Sequence, residues 1–289
     1  MNKSICTSLC GNTPLIRISD NLYAKLETYN PSGSVKDRMI SYVVNKAISR
    51  GEISLASTLC DATSGNTGIA LSMVAASLGL PCVIFMPSNM SEERKQMMRV
   101  YGATIIDAPP DNFGEAIYMR DEFLARHSNA WSPMQFSNYE NIECHLLTTA
   151  PEIAKNVSDL GLPWSAFVHG SGTGGTIEGV RRYTVNKELP VKIIMSQPEE
   201  SPHGIQGIAD GKEFLALDKD MDGIVRIKTS EAIARAKLFA RSTGILAGIS
   251  SGANLLASER WIEKNSPVGI VVTMLCDRGE RYMSVYEGV

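Results

Sequence analysis

Residues 58–86 read TLCDATSGNTGIALSMVAASLGLPCVIFM. Thr58–Ala62 and Cys82–Met86 are short apolar runs of strand length. Between them a polar, glycine-rich turn, Thr63–Gly68, gives way to an apolar helical run from Gly68 to Leu78, which Gly79 and Pro81 close. Strand, turn, helix and strand make one crossover unit of a parallel sheet. The stretch from Ala62 to Ser91 carries no charged residue and is long enough to span a bilayer. Pro81 would break such a helix, so a buried helix feeding a buried strand is the simpler reading. Parallel strands covered on both faces look continuously apolar in this way.

The same alternation extends outward in both directions. Strand runs begin at Leu22 (LYAKLE), Thr104 (TIIDA), Ala166 (AFVHG), Val191 (VKIIMS), Gly223 (GIVRI) and Gly269 (GIVVTML). Ile40, Val43, Val44, Ala47 and Ile48 share one helical face. Another helix opens at Thr229-Ser230-Glu231, where a hydroxyl can cap the first turn, and Gly244 closes it. Such a chain fits either a closed barrel or open α/β sheets. No convincing strand run lies between Thr104 and Ala166, a gap too long for a barrel repeat, and glycine-rich turns occur in both halves. The expectation is therefore α/β, with two open twisted-sheet domains and the active site in the cleft between them. Residues 38–140 are expected to form the first domain, and 1–37 with 141–289 the second.

Composition narrows the function. The 289 residues carry 28 Lys plus Arg against 31 Asp plus Glu, a net charge of -3, which gives no footprint for nucleic acid or an anionic membrane. The six cysteines are scattered without a C-x-x-C pair, and the four histidines are equally dispersed. That pattern predicts a reduced, cytoplasmic protein without disulfides and without a metal site. The opening MNKSICTSLCGN lacks the apolar run of a secretory signal.

Two motifs tempt. Gly170, Gly172 and Gly175 in HGSGTGGTIEGV satisfy the dinucleotide pattern G-x-G-x-x-G, with Glu199 following at a plausible distance. Ser171, Thr173 and Thr176 crowd that loop with hydroxyls, which at a helix N-terminus suit a phosphate monoester equally well. Gly248-Ile249-Ser250-Ser251-Gly252 matches the nucleophile elbow of α/β-hydrolases, but no histidine follows His203, so the triad cannot be completed in that order.

Three segments make sense jointly. Asn30-Pro31-Ser32-Gly33-Ser34-Val35-Lys36-Asp37-Arg38 places a lysine at a helix start, where an ammonium is disfavoured unless exposed or chemically used. Thr63-Ser64-Gly65-Asn66-Thr67-Gly68 gathers hydroxyl, amide and backbone donors at another helix start, an anion cradle suited to a carboxylate. The glycine-threonine loop supplies a phosphate cradle. One lysine, a phosphate site and a carboxylate site suggest pyridoxal phosphate carrying an amino acid.

These segments resemble the cysteine synthase (O-acetylserine sulfhydrylase) group of fold-type-II pyridoxal-phosphate enzymes, whose fold is that of the tryptophan synthase β chain. The likeness runs from Gly11-Asn12-Thr13-Pro14-Leu15 to Gly279-Glu280-Arg281-Tyr282 and includes MSEERKQMMRVYGA (from Met90), QFSN (from Gln135), GIQGI (from Gly204) and GISSGA (from Gly248). The resemblance implies that Lys36 forms the Schiff base with the cofactor. It assigns the phosphate to Gly172, Thr173, Gly174, Gly175 and Thr176, the ring hydroxyl oxygen to Asn66 and the pyridine nitrogen to Ser250. Thr63, Ser64, Thr67 and Gln135 are expected to hold the substrate carboxylate, with Gly207 and Ile208 near the side-chain end.

The implied activity is β-replacement, converting O-acetylserine and sulfide to cysteine and acetate through an aminoacrylate. Ser34-Val35-Lys36 and S-G-N-T-G differ from the S-F-K and S-G-N-H-A of dehydratases, which favours replacement over deamination. Cys276-Asp277-Arg278-Gly279 resembles a thiosulfate-using isozyme and GIQGI the sulfide-using type. An O-phosphoserine sulfhydrylase or cystathionine β-synthase-like enzyme shares every motif. More distant readings are a nicotinamide oxidoreductase and a catalytically silent homologue. The resemblance further implies a homodimer, with serine acetyltransferase as a candidate partner. In residues 90–103 the plain reading is an amphipathic helix with a solvated charged face; the family reading places it in the part that closes over substrate. Cys276 is expected to serve as a small buried hydrophobe, and the remaining histidines and cysteines as packing residues.

Overall fold

The computed structural model describes residues 5–209 and 214–287. Its strands are β1 (Leu15–Arg17), β2 (Leu22–Leu26), β3 (Thr58–Ala62), β4 (Cys82–Pro87), β5 (Thr104–Ala108), β6 (Ala130–Trp131), β7 (Trp164–Gly170), β8 (Lys192–Pro198), β9 (Gly223–Ile227) and β10 (Ile270–Leu275). The helices begin with α1 (Ile5–Ser8), α2 (Lys36–Ser49), α3 (Asn66–Leu78), α4 (Glu92–Val100) and α5 (Phe113–Arg126). They continue with α6 (Glu140–Cys144), α7 (Ala150–Asp159), α8 (Gly175–Asn186), α9 (Thr229–Thr243), α10 (Ile249–Asn265) and α11 (Met283–Glu287).

Contacts divide the chain into two compact units. The first takes residues 5–10, 30–134 and 281–284; the second takes 11–29, 135–209, 214–280 and 285–287. Residues 30–37, which the sequence reading grouped with the second domain, count with the first unit. The local reason is Asp37: its carboxylate accepts the Ser32 N–H at 2.6 Å, which ties the turn to the start of α2.

In the first unit four parallel strands run in the order β5-β4-β3-β6. Strand alternation sorts their side chains between two faces. Cys82, Ile84 and Met86 join the core formed with α2, α3 and α4, whereas Val83 and Phe85 join the one under α5. Both faces of β4 are therefore covered, which is why its sequence is apolar throughout. Among the described residues no helix is long and apolar enough to cross a membrane. The uncharged stretch is instead divided between α3 and β4. Its break falls at Gly79, whose left-handed φ of +69° ends the helix. Strand β6, only two residues long, fills part of the gap between Thr104 and Ala166 by pairing with β3.

In the second unit six strands run in the order β1-β2-β10-β7-β8-β9, parallel except for the β1–β2 pair. Helix α10 packs against β10 and β7. Asn254 on that helix pins the sheet's upper end, since its Oδ1 accepts the Gly170 N–H at 2.8 Å and its Nδ2 donates to the Met274 carbonyl oxygen at 3.1 Å. Helix α9 ends at Gly244 as the sequence predicts, with φ +75°. Its start differs from expectation. Glu231 reaches back to the Lys228 N–H at 3.2 Å, while the Thr229 hydroxyl accepts the Gly204 N–H at 2.9 Å. The hydroxyl expected to cap the helix is spent on anchoring the GIQGI segment.

Candidate active site

In the first unit the chain enters α2 through a turn at Gly33, whose φ of +89° favours glycine. Lys36 is the first residue of that helix, half-buried, and its N–H donates to Ser34 Oγ at 3.3 Å. A cation is disfavoured at a helix N-terminus, and the next residue, Asp37, is buried with its carboxylate taken up by Ser32. The second loop lies between β3 and α3. Thr63 is buried and its Oγ1 accepts the Gly65 N–H at 3.0 Å, which curls the loop so that Ser64 is exposed. Thr67 is buried in the first turn of α3, and Asn66 opens that helix.

The loop rests on α4. A Cβ at Gly65 would come within 2.5 Å of Arg94 Cδ, so only glycine lets the two approach. Arg94 Nη1 donates to the Ser64 carbonyl oxygen at 3.0 Å, and its guanidinium lies 4.6 Å from the Tyr282 ring centre. Arg94 and Lys95 are both buried. Lys95 Nζ donates to the Ser88 carbonyl oxygen at 2.8 Å and pairs with Asp107 at 2.7 Å. The fully solvated charged face of the plain reading is thus corrected: two of its cations are structural, and one supports the Thr63–Gly68 loop.

In the second unit the loop after β7 turns through Gly174, with φ +89°, into α8. Its bare backbone is enforced from all sides. A Cβ at Gly172 would meet the Gly207 carbonyl oxygen at 2.5 Å, one at Gly174 the Ala216 nitrogen at 2.4 Å, and one at Gly175 Asn141 Oδ1 at 2.1 Å. Asn141 Nδ2 donates to Thr173 Oγ1 at 2.9 Å and to the Gln135 carbonyl oxygen at 3.0 Å, so it joins the Gln135 segment to the loop. Thr176 Oγ1 lies 3.2 Å from His145 Nε2, and His145 Nδ1 lies 2.8 Å from Thr149 Oγ1. His145 belongs to a π-helical turn, His145–Thr149, between α6 and α7.

Ser250 lies in the first turn of α10, buried, with its Oγ 3.7 Å from where a Cβ on Gly207 would sit. Gly172, Gly207 and Ser250 therefore lie together, and Ile208 Cδ1 would lie 2.4 Å from a Cβ on Gly170. Cys276 is buried as expected, its Sγ accepting from Asn254 Nδ2 at 3.3 Å. Burial pushes the thiols of Cys10, Cys60 and Cys82 up to about 12, which keeps them neutral packing groups. No disulfide joins the six cysteines. Glu199, the acidic residue a dinucleotide site would require, is exposed and faces Lys228 at 3.7 Å.

These loops fit pyridoxal phosphate by their chemistry. A glycine loop with no room for side chains presents N–H groups at the start of α8, and two threonine hydroxyls flank it. The pyridoxal-phosphate-dependent enzyme family matches residues 6–277 of the chain. This chain belongs to that family. Within it the chain is 36% identical over 294 residues to a probable cysteine synthase of Bacillus subtilis, covering 96% of this chain and 94% of the relative. It is 38% identical to cysteine synthase B of Campylobacter jejuni, covering 96% of both. Among solved structures, O-acetylserine sulfhydrylase isoform 3 of Entamoeba histolytica matches with TM-score 0.89 at 32% identity, over 98% of this chain and 91% of that one. An O-acetylserine-dependent cystathionine β-synthase of Helicobacter pylori matches with TM-score 0.90 at 32% identity, over 98% of both chains. The cysteine synthase group is therefore its place in the family, and pyridoxal phosphate is its cofactor.

Sequence reasoning missed Arg94, Asn141, His145 and Asn254, which touch the loops from behind. The only signal for Arg94 was its place in MSEERKQMMRVYGA, where a charged face read as solvent-facing.

Proposed function

We propose that this chain makes cysteine by β-replacement, converting O-acetylserine and sulfide to cysteine and acetate. The observation that carries this reading is Lys36 at the first residue of α2, in the same unit as the donor-rich Thr63–Gly68 loop. Bound pyridoxal phosphate supplies an electron sink for negative charge at the substrate α-carbon. Lys36 Nζ would hold the cofactor covalently at rest and, once free, would be the base that removes the substrate's α-proton. The Cβ–O bond to acetate then breaks, sulfide forms the Cβ–S bond, and Lys36 Nζ returns the proton to the α-carbon.

The other residues bind and orient. Gly172, Thr173, Gly174, Gly175 and Thr176 take the cofactor phosphate through N–H groups and hydroxyls. Asn66 would donate to the ring hydroxyl oxygen. Ser250 would offer the pyridine nitrogen a hydroxyl in place of a carboxylate, a partner that does not favour a protonated nitrogen. Thr63, Ser64, Thr67 and Gln135 hold the substrate carboxylate, and Gly207, having no side chain, leaves room at the β-carbon. A cytoplasmic homodimer, with serine acetyltransferase as a binding partner, completes the proposal.

A visible absorption spectrum of the purified protein tests it. The expected result is a yellow protein whose band moves on adding O-acetylserine and returns on adding sulfide. A yellow protein that ignores O-acetylserine but answers phosphoserine or serine would redirect the substrate. A colourless protein that gains no band with pyridoxal phosphate would overturn the reading.

A further inference from the structure

Arg281 is among the largest fully buried side chains, at 1% exposure. Its guanidinium forks between two loops of the first unit. Nη1 donates to Asn66 Oδ1 at 2.5 Å, and Nη2 donates to the Ser32 carbonyl oxygen at 2.7 Å. Ser32 in turn gives its N–H to Asp37 Oδ2 at 2.6 Å and its hydroxyl to Asp37 Oδ1. One buried cation thus holds the turn that leads into Lys36 and the residue that opens α3.

An arginine has only donors, and a carboxamide has one acceptor end and one donor end. The contact with Nη1 therefore fixes the sense of the Asn66 side chain: Oδ1 faces Arg281, which leaves Nδ2 as the donor end of the carboxamide. Reversed, the carboxamide would set its N–H groups against a guanidinium and lose a charge-assisted bond. A ring hydroxyl oxygen bound as an oxyanion needs a donor, and only the observed sense supplies one.

We propose that Arg281 is a positioning residue that presents the Nδ2 of Asn66 to the cofactor ring. The proposal rests on the reading of Asn66 given above. It predicts that Arg281 acts on cofactor binding through Asn66, so that the two side chains are coupled and not additive.

The test is a double-mutant cycle on cofactor affinity, measured by titrating pyridoxal phosphate into the apoprotein, with the position of the absorption band as a second readout. Arg281→Gln is expected to weaken affinity roughly tenfold to a hundredfold, the effect of losing a charge-assisted bond. In an Asn66→Ala background the same change is expected to alter affinity by less than about twofold. Arg281→Lys, which keeps the charge, should restore part of the affinity and of the band position. Should Arg281→Gln fail to fold, Arg281→Lys compared in the two backgrounds carries the same contrast. Equal losses in both backgrounds, or no loss in either, would overturn the positioning role while leaving the cofactor reading intact. An Asn66→Ala protein with unchanged affinity and band would overturn the role given to Asn66 and this proposal with it.

Discussion

Gly172 and Gly207 meet backbone to backbone: a single added methyl on Gly172 would come within 2.5 Å of the Gly207 carbonyl oxygen. The two loops are thereby locked in a spacing that no side chain can enter. Gly172→Ala is expected to force them apart at a stability cost of about 1–3 kcal/mol, typical of overpacking. Cofactor affinity should fall by more than about tenfold if this loop holds the phosphate. Thermal melts of the apoprotein and a pyridoxal phosphate titration separate the two effects.

Lys36→Ala removes the amine without disturbing the bonds of Asp37 that hold the preceding turn. Turnover is expected to drop by about a hundredfold to ten-thousandfold, the range for losing a general base. The band of the resting protein should move to that of the free cofactor and no longer respond to O-acetylserine as the parent does, while affinity for the phosphate end persists. Absorption spectra and steady-state assays with O-acetylserine and sulfide check both.

Arg94 joins Tyr282 to the Ser64 carbonyl oxygen from a buried position. Arg94→Met keeps much of the volume but loses the bond and the ring contact. We expect a stability loss of about 1–3 kcal/mol and a raised KM for the amino-acid substrate, with kcat affected less. Chemical denaturation and initial rates over a range of O-acetylserine concentrations would reveal the split.

Asp61 is fully buried on β3, with Arg120 Nη1 at 3.6 Å and the Ser132 hydroxyl at 3.4 Å. Burial pushes its carboxyl up to about 7, against the lowering effect of Arg120. Because this value lies above that of an unfolded chain, about 3.9, folding takes up a proton in the interval between them. The associated stability is present below about pH 4 and is lost as pH rises through about 7. Asp61→Asn should flatten that slope, measurable as denaturation midpoints from pH 4 to pH 8. An unchanged slope in the variant would place its origin elsewhere.

Strands β3, β5 and β9 begin and end where the sequence places them, because each is a compact apolar run bounded by turn residues. Strand β6 escaped notice because two residues cannot display a period. β1, three residues long, is held by antiparallel pairing to β2 across the turn that follows it, and so short a run shows no period of its own. The site divides in the same manner. The lysine turn, the TSGNTG loop and the glycine-threonine loop are contiguous motifs, and it was their joint occurrence that pointed to a chemistry. Asn141 meets Thr173 across 32 positions and Arg281 meets Asn66 across 215, and neither spacing leaves a trace in sequence alone. Thr229 was misread for a related reason: its hydroxyl serves a distant segment in preference to its own helix.

Strand order carries a last consequence. β10, late in the chain, lies between β2 near the start and β7 in the middle. During synthesis β2 waits without its parallel neighbour until residues 270–275 have emerged, whereas β3 to β6 are complete by residue 131. The four-stranded sheet is therefore free to assemble on the ribosome first, and the six-stranded one must close afterwards by inserting its middle strand. Arg281 and Tyr282 follow β10, so a nascent chain acquires the anchors of its first-made loops only after the strands of both sheets have been made.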